Sequence, residues 1–326
     1  MSQRALLYHV FGIPELDALD AHLEMIISPS DQRAIFDIAR QGEEIGENDY
    51  PGTHTLYRRG ILDIASNCAS NDMGAHRFRL SGFYTRLDVF VLSELELWRT
   101  LPRELRSALD SWYFNAYYAR LPIDSSHPAT EDAVLTLNET LSFIEREERE
   151  PYLVNCDCRA LAQELWTQRC EKPLETCITF KNGPNTSAHR GIARRVSKAD
   201  ACDVIRRADD AGLIHRANAG TICNCCMDCC YLSRAEERRN REIRFYENPL
   251  AAAWPLQNKR VELQDARCVS CGRCVERCPR GLFEAHGGQI AVDVVRCIGC
   301  GLCVNTCMAG ALSLVPREDK ECECTQ

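Results

Sequence analysis

Cys268-Val269-Ser270-Cys271-Gly272-Arg273-Cys274-Val275-Glu276-Arg277-Cys278-Pro279 is followed, 29 residues on, by Cys297-Ile298-Gly299-Cys300-Gly301-Leu302-Cys303-Val304-Asn305-Thr306-Cys307-Met308. Each copy spaces its four cysteines as C-x2-C-x2-C-x3-C. The match extends beyond the thiols: Arg267 falls on Arg296, Gly272 on Gly301, Gly281 on Gly310 and Phe283 on Leu312. Each half reads as loop, short helix, short strand. Gly287-Gly288 begins a turn into Gln289–Val295, which alternates as a strand does.

Three thiolates two residues apart can wrap a loop around one corner of a cube. The fourth, three residues further on, points away toward a second cube. This spacing suits a pair of [4Fe-4S] clusters. It groups Cys268, Cys271 and Cys274 with Cys307, and Cys297, Cys300 and Cys303 with Cys278. Zinc also takes Cys-x2-Cys pairs, but it needs four ligands per site and has no use for an interleaved eight. The stretch resembles the two-cluster ferredoxin domain of bacterial type, and the resemblance covers about a fifth of the chain. Met308 departs from that pattern, standing where a second proline often follows. That difference bears on packing and potential, not on ligation.

The 326 residues leave room for two or three domains. A hydrophobic content of 45% with 26% charged residues is that of a soluble globular protein. Twenty-one cysteines are far above the ordinary. In a small secreted chain they would suggest disulfides. Here the count is odd, the chain is large, and Met1–Pro14 has no apolar stretch long enough for a signal peptide. No apolar run approaches a membrane span. Reduced thiolates binding iron in an anaerobic-type cytoplasm is the consistent expectation. Charge is uneven. Residues 1–150 carry 14 arginines and no lysine against 25 acids, a net of −11, and residues 151–326 carry 25 bases and 22 acids. The acidic half is a poor electrostatic match to nucleic acid.

The expected fold class is α+β: a helical, winged-helix-like domain over 1–150, a cysteine-rich α/β region over 151–232, a basic helix and linker over 233–260, the ferredoxin-like domain over 261–316, and a tail over 317–326. Glu15–Ile27 has a helical stripe of Leu16, Leu19, Leu23, Ile26 and Ile27. Ser28-Pro29-Ser30 breaks it before a second helix, Asp31–Arg40. Thr53–Arg59 is a third helix, Gly60–Ile64 a strand, and Arg77–Leu80 its partner. Helix, helix, helix, two-stranded wing is the order of a winged helix. The competing reading is a small helical domain with no nucleic-acid role. Ser93–Leu121 reads as helical and aromatic-rich, its aromatics forming core or a domain contact. Thr130–Glu150 reads as a helix capped by Thr130 or Asp132, ending in a solvated charged run before Pro151.

Beyond Pro151, Tyr152–Asn155 reads as a strand delivering Cys156-x-Cys158-Arg159, followed by a helix to about Arg169. Ser197-x-x-Asp200 is a capping box opening a helix to Asp210, with Gly212 as its C′ glycine. Then comes Cys223-x-Cys225-Cys226-x2-Cys229-Cys230. Cys68 and Cys202 fit packing or isolated thiols, Cys322 and Cys324 lack ligand-like neighbours, and Cys170 is ambiguous. Eight concentrated thiols remain: Cys156, Cys158, Cys177, Cys223, Cys225, Cys226, Cys229 and Cys230. They suit one or two further [4Fe-4S] clusters, with zinc the competing metal, and spacing does not settle which four belong together. Ser233–Tyr246 is a basic helix, either a solvated connector or a docking face for an acidic partner.

The Cys-x-Cys-Arg … Cys-Asn-Cys-Cys pattern upstream of a dicluster region resembles a loosely characterised group of bacterial 4Fe-4S binding proteins. In that group a helical, winged-helix-like part precedes the pattern. The resemblance implies iron–sulfur electron transport in anaerobic redox metabolism and names no reaction. No Gly-x-Gly-x-x-Gly, P-loop or nucleophile elbow occurs, and no two histidines stand at i, i+4. The leading expectation is an electron-transfer protein or subunit serving a partner oxidoreductase. The alternatives are a redox-sensing regulator with a DNA-reading winged helix, and an oxidoreductase subunit with a substrate-binding cluster.

Overall fold

The structure, a computed structural model, describes residues 3–65, 76–121, 132–165, 170–218, 220–243 and 259–317. The first stretch of elements runs α1 (Gln3–Phe11), α2 (Leu23–Ile26), α3 (Pro29–Gln41), β1 (Ile45–Gly46), α4 (Thr53–Arg58), β2 (Leu62–Ile64), β3 (Arg77–Leu80), α5 (Phe83–Ser93), α6 (Leu95–Thr100) and α7 (Arg103–Tyr118). Next come β4 (Asp132–Leu135), α8 (Leu137–Arg146), β5 (Tyr152–Asn155), α9 (Asp157–Ala162), β6 (Glu175–Thr179), β7 (Arg194–Arg195), α10 (Lys198–Asp210), β8 (Ile214–Asn218), β9 (Thr221–Cys225) and α11 (Tyr231–Ile243). The last stretch holds β10 (Lys259–Leu263), α12 (Arg273–Arg277), β11 (Phe283–His286), β12 (Gln289–Val292), α13 (Leu302–Thr306) and β13 (Leu312–Pro316). The mixture of helices and small sheets is an α+β fold. Two compact units share these elements: Met1–Leu121 with Tyr152–Glu175 and Thr179–Arg195, and Pro122–Pro151 with Thr176–Ile178 and Val196–Gln326. Residues 151–232 are thus divided between the units.

In the first unit, Ser28 caps α3 by accepting from Asp31 N, Asp31 accepts from Ser28 N in return, and Pro29 sits at N1. The preceding stripe is not the helix its spacing suggests. Leu19 N and His22 N bond three residues back, to Leu16 O and Leu19 O at 2.9 Å each, and α-helix begins only at Leu23. Leu19, Leu23, Ile26 and Ile27 are buried all the same. β2 and β3 pair antiparallel, with Leu62 opposite Leu80 and Ile64 opposite Phe78. β1 adds to the far edge of β3, giving the order β1-β3-β2. The expected long helix over Ser93–Leu121 is broken. Pro102 forces Leu101 into extended backbone, so α6 ends and α7 starts anew. A further helix, α5, precedes them. It carries Arg86, which is fully buried and donates to Ile26 O (2.6 Å), Arg59 O (3.0 Å) and Glu94 Oε1 (2.9 Å).

In the second unit, Asp132 lies on a strand, not at a helix cap, and Thr130 lies outside the described residues. β4 pairs antiparallel with β8, Leu135 opposite His215, so tertiary pairing overrides the helical reading there. The cap is Thr136, whose hydroxyl accepts from Glu139 N at 3.3 Å while Glu139 accepts from Thr136 N at 3.0 Å. α10 opens on Ser197 and closes at Gly212, which has φ 77°. Gly212 N bonds Asp209 O and Leu213 N bonds Ala208 O, the paired bonds of a Schellman end. β8 and β9 form a hairpin, so Cys223 and Cys225 lie on a strand. β4, β8, β9 and β6 lie side by side in that order. The basic helix begins at Tyr231 with Tyr231, Leu232, Ser233 and Ala235 buried, while in the first unit the expected helix after Cys158 stops at Ala162.

Asp88 of α5 sits with its Oδ1 buried and without a hydrogen-bond partner. Burial, then the nearby Asp157 carboxylate, pushes it up to about 7. An acid whose folded pKa is raised binds its proton more tightly when folded. Its contribution is therefore favourable below the unfolded value near 4 and is lost as pH rises to about 7. Asp88→Asn should raise the thermal midpoint at pH 8, by an effect on the order of a few kcal/mol. It should leave the midpoint nearly unchanged at pH 4, and calorimetry at the two pH values checks this.

Candidate metal centres

The 29-residue repeat survives in the backbone. α12 and α13 occupy matching positions, each opening on a left-handed glycine, Gly272 (φ 75°) and Gly301 (φ 78°). Ser270 (φ 51°) takes the left-handed conformation where the second copy has Gly299 (φ 67°), and Gly281 (φ 59°) does so where it has Gly310 (φ 61°). These turns fold each cysteine run back on itself. The strands cross between copies: β10 pairs with β13 and β11 with β12, all antiparallel. Gly287 and Gly288, both at positive φ, make the two-residue turn between β11 and β12.

Two cavities result. Cys268, Cys271, Cys274 and Cys307 line one, and Cys278, Cys297, Cys300 and Cys303 the other, so each draws three thiols from one copy and one from the other. Val261 N and Gly299 N donate to Cys297 Sγ at 3.4 Å. Most of the remaining lining is apolar, including Leu282, Phe283 and Leu314 around one and Leu263, Ile290 and Leu312 around the other, with Arg280 at the first of these and Ser270 and Arg273 at the second. Burial pushes the Cys300 thiol up to about 12, and Cys303 further in the same direction. Buried thiols of this kind become thiolates only with a cation to balance them, and bound iron is such a cation.

The first cavity opens toward solvent: Cys271 is exposed, as are Val269 (70%) and Met308 (85%). The second is covered. A Cβ at Gly301 would meet Thr136 Cγ2 at 3.2 Å. Arg277, one residue before Cys278, donates to the carbonyls of Asp209 and Asp210, the latter at 2.7 Å, and Asn305 Nδ2 donates to Asp209 Oδ1 at 3.2 Å.

A family model for the 4Fe-4S dicluster domain matches residues 260–308. No curated protein and no solved structure matches the chain. The match falls on the residues that build the two cavities, and this part of the chain is a 4Fe-4S-binding domain. No helix among the described residues is long and apolar enough to cross a membrane.

The upstream thiols fall in both units. In the first, Cys156 and Cys158 bracket Asp157 at the start of α9, and Cys170 is buried. Cys156 N bonds Leu174 O at 2.9 Å, and the buried Arg159 donates to Pro173 O at 2.6 Å, so the arginine of the Cys-x-Cys-Arg motif holds the loop next to Cys170. Burial, then the Cys156 thiol, raises Asp157 to about 6. In the second unit, Cys177 is buried on β6. The Cys225 thiol is pushed well above its usual range, first by hydrogen bonds with the Cys223 and Cys230 thiols and then by burial. Cys226 and Cys229 place their sulfurs within 4.8 Å of each other. The hairpin and the turn after it thus sort five adjacent thiols into two groups, which spacing alone left open. Cys202 lies buried on α10. Cys68, Cys322 and Cys324 lie outside the described residues.

Sequence reading passed over Asp209, His215 and Asn224. His215 Nδ1 donates to Asn224 Oδ1 (2.5 Å), its Nε2 stands 3.4 Å from Asp209 Oδ1, and Asn224 Nδ2 donates to Thr176 O (2.6 Å), all three residues being buried. The Asn between two cysteines was the only visible signal. Gly272 and Gly301 share nearly the same φ, but a Cβ at Gly272 would meet nothing within 4 Å. Both alanine variants bear the left-handed cost of about 1–2 kcal/mol. Gly301→Ala should therefore lower the unfolding midpoint more than Gly272→Ala, and thermal denaturation of the two side by side reads the difference.

Proposed function

We propose that the protein is an iron–sulfur electron carrier in which two [4Fe-4S] clusters exchange electrons with a partner oxidoreductase in anaerobic metabolism. The observation that carries this reading is the pair of four-cysteine cavities in one dicluster domain. Cys268, Cys271, Cys274 and Cys307 hold one cluster, and Cys278, Cys297, Cys300 and Cys303 hold the other. A bound cluster supplies one-electron redox chemistry at nearly constant geometry. The chain's own residues supply the thiolates, the amide donors to Cys297 Sγ and the apolar walls that exclude water, all of which set the potential. Cysteines among Cys156, Cys158, Cys177, Cys223, Cys225, Cys226, Cys229 and Cys230 hold at least one further cluster, and Cys170 is a candidate alongside them. A cytoplasmic location follows from the need for reduced thiolates.

The regulator reading has Arg58, Arg59, Arg77 and Arg79 as its local support. Arg59 is paired with Asp31 at 2.8 Å, and Arg77 lies within 3.8 Å of both Glu44 and Asp49, while Arg58 and Arg79 are exposed. The net charge of −11 over residues 1–150 weighs against phosphate binding by such a face. The full chain should leave duplex DNA unretarded at physiological salt, and specific retardation would restore the regulator.

Iron and acid-labile sulfide analysis of anaerobically purified full-length protein is the direct test of the carrier. More than about eight irons per chain are expected, with cubane spectra. Iron absent from the protein would sink the reading. The crossed ligation has its own check. The reduced-state electron paramagnetic resonance (EPR) spectrum of Cys278→Ser should match that of Cys300→Ser and differ from that of Cys271→Ser. A match to Cys271→Ser would show the crossing to be wrong.

A further inference from the structure

Cys225 and Cys230 are buried in one apolar cluster with Val134, Ile214, Leu232, Ile298 and Leu302. Cys223, Met227 and Cys300 pack against that same cluster. Ile298 and Leu302 flank Cys300 in the dicluster domain and line or border the covered cavity. The other seven thiols of that domain have no place in this cluster. Six of them join a separate core around Val261, Phe283 and Leu312, and Cys271 is exposed. The three thiols of the hairpin and turn therefore abut one wall of one cavity and stand apart from the solvent-facing one.

The placement is fixed by directional contacts. Arg277 and Asn305 hold the dicluster domain to Asp209 at the end of α10. Asp209 meets His215 of β8, and His215 bonds Asn224, which lies between Cys223 and Cys225 on β9. All of these groups belong to one compact unit. Electron transfer rates fall steeply with distance, so a centre in van der Waals contact with one cluster's wall has that cluster as its exchange partner.

We infer that Cys223, Cys225 and Cys230 hold a third, thiolate-bound iron–sulfur centre whose redox neighbour is the cluster of Cys300, leaving the cluster of Cys271 to meet the outside partner. This rests on the proposed function and orders its parts. In the step itself the upstream centre loses one electron and the cluster of Cys300 gains it, with no bond made or broken and no proton required. Val269 and Met308, exposed beside the outer cavity, mark the end at which the outside partner takes up or delivers that electron.

The test uses the full chain, purified anaerobically and fully reduced, with metal analysis and EPR. Wild type should show spin–spin broadening between the upstream centre and one ferredoxin-type cluster, in addition to that between the two ferredoxin-type clusters. Cys271→Ala should lose the outer cluster and keep the upstream broadening. Cys223→Ala should lose iron, lose that broadening, and retain both ferredoxin-type clusters. Iron unchanged in Cys223→Ala, or zinc in place of iron, overturns this inference, whereas a wild-type content of only about eight irons overturns the upstream part of the proposed function as well. Iron lost from Cys223→Ala with the Cys300 cluster's signal unaltered overturns only the ordering. Should Cys223→Ala fail to fold, wild type and Cys271→Ala still decide: upstream broadening absent from wild type, or abolished by Cys271→Ala, overturns the ordering.

Discussion

Enclosing thiols in apolar walls is the constraint on which the rest of this structure depends. A cysteine away from water is a weak acid, and burial drives Cys300 and Cys303 strongly toward the neutral form. Eight thiols gathered into two cavities, all but Cys271 wholly or partly withdrawn from water, leave their polar chemistry unsatisfied unless a metal meets it. The backbone has been shaped to that end at a cost. Six positions in the two cysteine runs and their closing turns take left-handed conformations as three repeat-equivalent pairs, one of the six a serine. Strand pairing then crosses between copies, so that neither copy closes a cavity without the other. Stability and ligand geometry are one problem here, because the sheets that hold the copies together also bring the fourth cysteine of each set into place.

The same logic explains what the sequence could and could not disclose. Cys268 to Cys307 was legible because its signal is local. Spacing of two and three residues encodes the loop, and repetition at 29 residues encodes the pairing of halves. Ser197-x-x-Asp200 and Gly212 were legible for the same reason, since a cap is made within four residues. Thr136-x-x-Glu139 carried an equally local signal, but the apolar periodicity running through Val134 hid the boundary. Only the pairing of β4 with β8 makes Asp132–Leu135 a strand. The hairpin under Cys223 and Cys225 was hidden by composition, because Cys and Asn are weak strand formers that the sheet overrides. Glu15–Ile27 shows the converse: its stripe correctly marked the buried residues while misjudging the backbone that buries them.

The described residues of 151–232 are divided between the two compact units. Their first stretch, with Cys156 and Cys158, packs in the unit built from α5 and α7, where Asp88, Tyr113 and Asp157 form a buried acidic group. Their last stretch, Cys223 to Cys230, packs in the unit that also holds the dicluster domain. Within that second unit the β8–β9 hairpin, which sequence spacing does not record, decides which of these thiols lie together.

Asp209 shows how the second unit is locked. Its carboxylate is buried, yet it receives Arg277 and Asn305 from the two short helices of the dicluster domain and faces His215 from β8. A buried charge is tolerated when several donors converge on it, and removing any one donor leaves the rest of the penalty in place. The donors come from α12 and α13, and His215 of β8 stands beside them, so their convergence on the end of α10 fixes the register between the helices that carry the cysteines and the hairpin that carries Cys223 and Cys225. The negative charge also stands near Cys300, where it adds to the burial that disfavours a thiolate. Around a cluster bound at Cys300 the same charge would disfavour the extra electron of the reduced state, so this anchoring residue would also bear on the potential there.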